Sequence, residues 1–514
     1  MPSNKPPFYQ SPFFLSFLSG LLLTFSFPGV RLGFLAWIAL VPFFIALNQT
    51  KSRSEAAGFS LTQGLTFFLC SMHWLTFVTA GGWLALAFFE ASFLILFGLA
   101  FLKFRNFKSQ FVRICAFSLA WCVFEFMRAE IPVFGLGWNL LAYSQSDYSW
   151  IRLAANTVGT YGLGFVIVFV NACFFEIFQA AKNKKSLKIP LSLIITALIL
   201  LSAHGFYYGR PSAKTPRVVR VALTQGNIPQ SVKWETIARE KIIEIYSKLT
   251  ELSSYDQPDL IIWPEAAYPG YFNRDFDQIK ILELIKHIGI PVLIGSPHWG
   301  GNDTAFNSAY LVGADGDIKQ RYDKHKLVPF GEYVPLGWVL DWLKPMAYTL
   351  GVSDFSAGKD FTVFQTMNGE VSFSTLICFE DTFPGMAREF TNRGADFLAV
   401  ITNDAWFGPT SAGYQHEQAS IFRAIENGIP VVRAANTGVS SFISARGQVL
   451  SRLRGADGRE IFSTARQTYD VPLEKFTTIY RRGGWIFPYA ASGVFVIILF
   501  AAIKTEEQNP KMRV

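Results

Sequence analysis

The sequence predicts a polytopic α-helical membrane domain of about eight spans, with an α/β domain inserted between the seventh and the eighth. Three observations carry this. Of the 514 residues, 51% are hydrophobic and 16% charged, where soluble domains carry roughly 25% charged residues. The apolar excess lies in blocks that fill the first 210 positions, with one more near the end of the chain. Between them, short β-rich runs alternate with amphipathic helical ones, the pattern of a layered α/β domain.

The expected spans are 11–27, 32–48, 58–78, 83–102, 113–130, 160–181, 189–208 and 485–504. The first differs from a signal peptide. Its n-region has only Lys5, and it ends in a Phe-Pro-Gly turn rather than a small-residue cleavage site. Basic residues set the orientation. Lys51 and Arg53, then Lys103, Arg105, Lys108 and Arg113, then Lys182, Lys184, Lys185 and Lys188 fill alternate loops, while the others carry far fewer. By the positive-inside rule both termini face the cytoplasm and the insert lies on the opposite side. The expected domains are 1–209 (seven spans), 210–483 (the insert) and 484–514 (the last span and a tail).

The net charge of +8 does not indicate nucleic-acid binding, because the basic residues sit largely in those loops. Cys70, Cys115, Cys122 and Cys173 fall inside apolar blocks, so Cys378 is the one cysteine of the insert. The insert therefore has no internal disulfide, and the sequence has no C-x-x-C pair of the kind that binds zinc. Neither a metal nor a cofactor is expected.

Within the insert, Val218–Gly226 alternates like a half-buried strand, and Asp259–Glu265, Pro291–Pro297 and Phe397–Asp404 are short apolar runs. Asn368-Gly369 joins the strand-like "TVFQTM" and "EVSFSTLICF", and Asp315-Gly316 and Arg446-Gly447 mark further hairpins. Amphipathic helices fit Glu235–Leu252, Asp275–Ile288 and Gln415–Asn427. No internal repeat is visible.

Three apolar runs end in reactive groups: Glu265, Cys378, and Asn403 with Asp404. Sites in α/β sheets gather at strand ends. "RYDKHKLVPFGEYVP" (Arg321–Pro335) adds Lys324, His325, Lys326 and Glu332. A lone cysteine ending a strand is ordinarily an inert buried residue. Near a carboxylate base and a lysine it becomes a nucleophile for acyl transfer. Glu–Lys–Cys is one reading. Cys–His, with His325 or His416, is the other, and spacing does not decide between them.

"IIWPEAAYP", "YDKHKLVPFGEYVPL", "LICFED" and "ITNDAWFG" resemble the nitrilase/amidase superfamily, in the variant found in bacterial apolipoprotein N-acyltransferases. "TQGNIPQSVKW", "RAIENGIPVVRAANTGVS", "FEFMR" and "WNLLAYSQ" extend the resemblance over nearly the whole chain. It implies a nitrilase-like αββα sandwich for the insert and a catalytic triad of Glu265, Lys324 and Cys378. Lys326 is the competing lysine, disfavoured by the family spacing. Glu332 would support the triad and Glu380 shape the site. Trp234, of the K-W motif, and Trp406 would lie on the substrate side. Phe379 stands where relatives often have Tyr, so no role should rest on a hydroxyl there.

The resemblance further implies a ping-pong acyltransferase. Glu265 takes the thiol proton, Cys378 attacks a phospholipid ester, typically of phosphatidylethanolamine, and Lys324 with the Phe379 N–H stabilises the oxyanion. The resulting thioester passes its acyl chain to the α-amine of a diacylglyceryl-cysteine on an apolipoprotein. Partners would be these two substrates and membrane lipid, with no nucleic acid. The place would be the bacterial inner membrane, with the catalytic domain periplasmic. The two acids after Cys378 disfavour a thiolate, so a resting neutral thiol is expected. A membrane-tethered amidase, with water as acceptor, and a transporter or receptor with an outside binding domain are the competing readings. Glu125 and Arg128, three apart near the outer end of span five, share a helix face and either pair or snorkel.

The aromatic-rich arm Leu336–Val352 is expected to touch lipid as a lid. Changing Trp338 and Trp342 to Ser should slow acylation of membrane-borne substrate more than thioester formation from a soluble ester. Equal effects would remove the lid from consideration.

Overall fold

The computed structural model describes residues 8–210, 215–302, 304–335, 354–366 and 369–508; the arm 336–352 lies outside them. The chain forms two compact units, one of residues 1–131, 135–210 and 482–514, the other of 132–134 and 211–481.

Among the described residues of the first unit, five helices are long and apolar enough to cross a membrane: Ala80–Phe104, Gln110–Glu130, Ala155–Lys182, Lys188–Tyr208 and Gly484–Gln508. The other three expected spans differ. Pro12–Phe25 has 14 residues, about 21 Å at 1.5 Å per residue. Arg53–Ser71 is a 19-residue helix with a polar start, capped by Ser52, whose hydroxyl accepts from the Glu55 N–H. Glu55 in turn accepts from the N–H of Lys51, the residue before the cap, at 2.7 Å.

The expected span 32–48 is broken, with a 3-10 turn Gly33–Trp37 followed by the short helix Val41–Asn48. Irregular backbone at membrane depth needs protein partners, and buried amides supply them. Asn171 accepts from the Leu40 N–H and donates to the Ala36 carbonyl, both at 2.9 Å. Gln145 donates to the Gly33 carbonyl at 2.9 Å and accepts from the Trp37 indole at 3.0 Å. Phenylalanine fills the core between helices. Phe101 and Phe117 stack at 4.2 Å, and Phe44 lies 5.6–6.0 Å from Phe97, Phe101, Phe117 and Phe175.

Arg128 does not snorkel. It is buried, with Nη1 at 3.0 Å from Glu90 and Nη2 at 3.8 Å from Glu125. It also donates to the carbonyls of Leu136, Trp138 and Asn139. Glu90, unremarkable in the sequence, is thus its nearer acid.

The second unit is built on two six-stranded sheets, β12-β1-β2-β3-β4-β5 and β11-β10-β9-β8-β7-β6. The strands of the first are β1 Val218–Gln225, β2 Leu260–Ile262, β3 Val292–Gly301, β4 Thr304–Val312, β5 Ile318–Asp323 and β12 Ala465–Pro472. Those of the second are β6 Phe364–Gln365, β7 Ser372–Ile377, β8 Phe397–Thr402, β9 Val431–Ala435, β10 Ser441–Ile443 and β11 Val449–Arg452. The three expected hairpins are the antiparallel pairs β4–β5, β6–β7 and β10–β11. Gly316, Gly369 and Gly447 take positive φ there, as such turns require.

The sheets share one topology. Three parallel strands with helical crossovers lead into two antiparallel strands, as β1-β2-β3 then β4-β5, and as β7-β8-β9 then β10-β11. The repeat lies in connectivity, which a search for sequence repeats does not detect. Helices Thr236–Ser254 and Gln278–Ile288 cover the first sheet, packing Ile242, Tyr246, Ile281 and Ile285 on Ala222 and Ile261. Pro384–Asn392 and Ala412–Asn427 pack on the second. The latter is not amphipathic at a surface, since every residue but Tyr414 is buried. Polar groups on it bond other buried groups, His416 and Ser420 to Asp381 and Arg423 to the Asp381 carbonyl.

Trp263, fully buried, stacks on Tyr246 at 4.9 Å and donates to Thr250 Oγ1 at 2.8 Å. Trp263→Ala is expected to cost about 3–5 kcal/mol, read as a lower thermal unfolding midpoint of the detergent-solubilised chain.

Candidate active site

Glu265 follows β2, where Trp263 and Pro264 lead out of the strand and Ala266 takes φ +47°. The chain passes so close to β3 that a Cβ on Gly295 would stand 2.2 Å from the Pro264 carbonyl oxygen. Three donors then converge on the Glu265 carboxylate. Oε1 accepts from Asn307 Nδ2 at 2.7 Å and Lys324 Nζ at 3.4 Å, and Oε2 from the Asn403 N–H at 2.8 Å. Asn307 comes from β4, Lys324 from the end of β5 and Asn403 from the end of β8, so both sheets orient this one side chain.

Lys324 is 1% exposed. Its Nζ lies 2.9 Å from Glu332 Oε1 and 3.4 Å from Glu265 Oε1. Burial opposes the charge, but Glu332, Glu265 and Cys378 outweigh it and hold the pKa above the ordinary lysine value. This lysine is a fixed cation. Glu332 also accepts from Asn307 Nδ2 at 2.7 Å and from the Val328 N–H at 2.8 Å. Glu265, Lys324 and Glu332 therefore come together as expected. Lys326, the alternative, is exposed and lies over the Phe383 ring at 5.1 Å.

Cys378 follows β7 with φ +53°, a left-handed conformation costing a non-glycine residue about 1–2 kcal/mol. Desolvation of its sulfur raises the thiol pKa well above the usual value. The charge of Glu265 adds to that, while Lys324 opposes it. The resting group is the neutral thiol. Phe379, buried, meets Phe383 edge-on at 5.0 Å.

Glu380 does more than shape the site. It is fully buried and accepts from the Ile377 N–H at 2.8 Å, the Tyr322 hydroxyl at 2.8 Å, and the N–H groups of His325 and Lys326 at 2.7 and 3.1 Å. It ties the Cys378 turn to the Lys324 loop. Burial pushes its pKa up to about 7, against these bonds and Lys324.

Behind Cys378 lies a charged network at zero or near-zero exposure. His416 bonds Asp404 through Nδ1 at 2.9 Å; its Nε2 reaches Asp381 at 3.0 Å and the Cys378 carbonyl at 3.3 Å. Arg433 pairs with Asp381 at 3.0 Å and Asp404 at 3.3 Å. Burial and Arg433 act to lower the His416 pKa, but the two aspartates prevail and raise it to about 9. A protonated imidazole is not a base, which removes the Cys–His reading for His416. His325 points its Nε2 at the Asp360 carbonyl, 3.1 Å away. Trp234 and Trp406 are both exposed, at 51% and 36%.

Two residues that touch Glu265 carry no signal of their own in the sequence. Asn307 sits in an ordinary strand. Lys233 precedes the tryptophan of the K-W motif; it is 1% exposed and donates to the Glu265 carbonyl at 3.2 Å.

Fold and sequence together define the class: residues 220–471 match the family described as carbon-nitrogen hydrolase. Residues 19–173 match the apolipoprotein N-acyltransferase N-terminal domain. Proteins named apolipoprotein N-acyltransferase align along almost the full chain. That of Geobacter metallireducens is 34% identical over 508 residues, covering 95% of each chain. That of Chlorobaculum tepidum is 30% identical over 530 residues, covering 96% of this chain and 97% of the relative. Among solved structures, an amidase of the nitrilase superfamily from Nesterenkonia AN1 superposes with a TM-score of 0.39 at 19% identity, covering 52% of this chain and 94% of that one. The chain belongs to the apolipoprotein N-acyltransferase family, a family of membrane-bound enzymes.

The histidine network sets a pH dependence. A histidine whose folded pKa is raised to about 9 stabilises fully below its unfolded value near 6.5. That stability is lost as pH rises through about 9. Unfolding midpoints are expected to fall between pH 7 and 10 in the wild type, and to fall less over that interval in His416→Asn; parallel slopes would contradict the assignment.

Proposed function

We propose that this protein transfers an acyl chain from a phospholipid, through a thioester on Cys378, to the α-amine of the N-terminal diacylglyceryl-cysteine of an apolipoprotein. The observation that carries the reading is the buried Lys324 ammonium between Glu265 and Glu332, acting on the Cys378 thiol, in a chain whose other half is apolar helix.

The Glu265 carboxylate takes the Cys378 proton as the sulfur attacks the ester carbonyl. The developing oxyanion is met by Lys324 and the Phe379 N–H, and fixed donors of this kind stabilise it most. The C–O bond breaks, Glu265 returns the proton to the leaving oxygen, and a lysophospholipid departs. The amine then attacks the thioester, the C–S bond breaks, and Glu265 carries a proton from nitrogen to sulfur. The order is ping-pong. Phosphatidylethanolamine is the proposed donor. Trp234 and Trp406 line the substrate side. The proposed setting is the bacterial inner membrane with eight spans. The three short or broken apolar segments complete that count. Both termini are cytoplasmic, and residues 210–483 form a periplasmic domain inserted between spans seven and eight.

Incubated with phosphatidylethanolamine, the wild type is expected to gain one acyl mass on Cys378, and Cys378→Ala none. A diacylated lipopeptide should then remove it as the triacylated product. Absence of the adduct from the wild type refutes the proposal. Discharge to water alone would make the protein a hydrolase and not an acyltransferase.

A further inference from the structure

The second half-reaction of the proposed function has a proton that the triad does not accommodate. In the first half, the thiol proton ends on the leaving oxygen and the count closes. The acceptor amine, with an ordinary α-amino pKa near 8, arrives at neutral pH largely as an ammonium. Its nitrogen carries three protons and the amide product one. Glu265 passes one of the two surplus protons to the departing Cys378 sulfur. The other needs a second acceptor. Water as nucleophile makes no such demand inside the site, because the carboxylic acid it forms ionises after release.

Building on that reading, we propose that Lys233, as the neutral amine, is the base that takes this second proton from the acceptor ammonium. Lys233 turns inward from a loop whose neighbours Ser231 and Trp234 are exposed. Its Nζ donates to the backbone carbonyl of Glu265 at 3.2 Å, which is its one acceptor among the described residues. Lys324 has two carboxylates in the same site; Lys233 forms no ion pair among the described residues. Two like groups whose surroundings drive their pKa values apart mark divided acid and base roles.

Burial lowers the Lys233 pKa to about 8, with Glu265 and Cys378 opposing. A catalytic base works best when its pKa is near the operating pH. The titratable groups facing it are Glu265 and Cys378, with Lys324 and Glu332 further along through the Glu265 carboxylate. The loop is held in place. Asn436 accepts from the Ile228 N–H and donates to its carbonyl, and Gln230 accepts from Asn403. In the transfer step the amine lone pair forms the C–N bond as the C–S bond breaks. One proton goes to Lys233 and one through Glu265 to sulfur. Lys233 then releases its proton to water.

The test separates the half-reactions in the full-length detergent-solubilised enzyme. Thioester formation from phosphatidylethanolamine is followed by intact mass. The isolated acyl-enzyme is then mixed with a synthetic diacylated lipopeptide across pH 6–10. In the wild type, discharge should rise with pH and level above about 8. Lys233→Met should slow discharge at pH 7 about 100-fold and thioester formation far less, with the lost rate recovering at higher pH as the lipopeptide ammonium loses its proton unaided. Lys233→Arg, always charged, should not rescue. Discharge at the wild-type rate in Lys233→Met overturns the inference, as does equal slowing of both halves, which would make Lys233 a packing or oxyanion residue. Slower acylation from phospholipid but not from a soluble ester overturns it in favour of a phosphate anchor. A wild type that forms no thioester refutes the underlying function instead.

Discussion

The Glu380 carboxylate is the contact on which the site depends. It collects donors from two chain segments, Ile377 beside Cys378 and Tyr322, His325 and Lys326 beside Lys324. One segment leaves β7 of the second sheet and the other β5 of the first. Cys378 and Lys324 are 54 residues apart in sequence and belong to different sheets, yet one buried side chain fixes their backbones relative to each other. The left-handed turn at Cys378 is strained alone. The bonds to Glu380 on one side and from His416 to the Cys378 carbonyl on the other hold it.

The duplicated topology explains why such a pin is needed. Each sheet brings polar groups to the ends of its parallel strands, Glu265 after β2, Cys378 after β7 and Asn403 after β8. Neither half holds a complete site. The charges are then distributed unevenly. Lys324 is a permanent cation between acids, Cys378 is kept neutral, and the aspartates behind it are matched by Arg433 and a protonated His416. Low dielectric makes each unpaired charge costly, which is why these buried charges come in matched sets.

Much of this was legible in the sequence. The strand runs, the three glycine hairpins and the ordered motifs around Glu265, Lys324 and Cys378 are local signals, and the structure brings Glu265 and Lys324 within 3.4 Å. What stayed hidden is long-range. Asn307 and Glu90 look like ordinary strand and helix residues until their partners are known. The helix Ala412–Asn427 reads as amphipathic because its polar residues are real, but their partners are buried aspartates and carbonyls, not water. Hydropathy counted 32–48 as one span because composition does not register a helix break that distant amides satisfy. Lys233 was overshadowed by the tryptophan after it.

That broken segment also bears on how the chain is made. Gly33, Ala36, Trp37 and Leu40 find their hydrogen-bond partners in Gln145 and Asn171, 108 to 135 residues later. At synthesis rates of about 5–20 residues per second, those partners emerge roughly 5–30 s afterwards. Until then the unpaired backbone cannot rest in hydrocarbon. The amino-terminal segment has to wait beside the insertion machinery or at the water boundary, and assembly of the membrane unit must finish from its middle backwards.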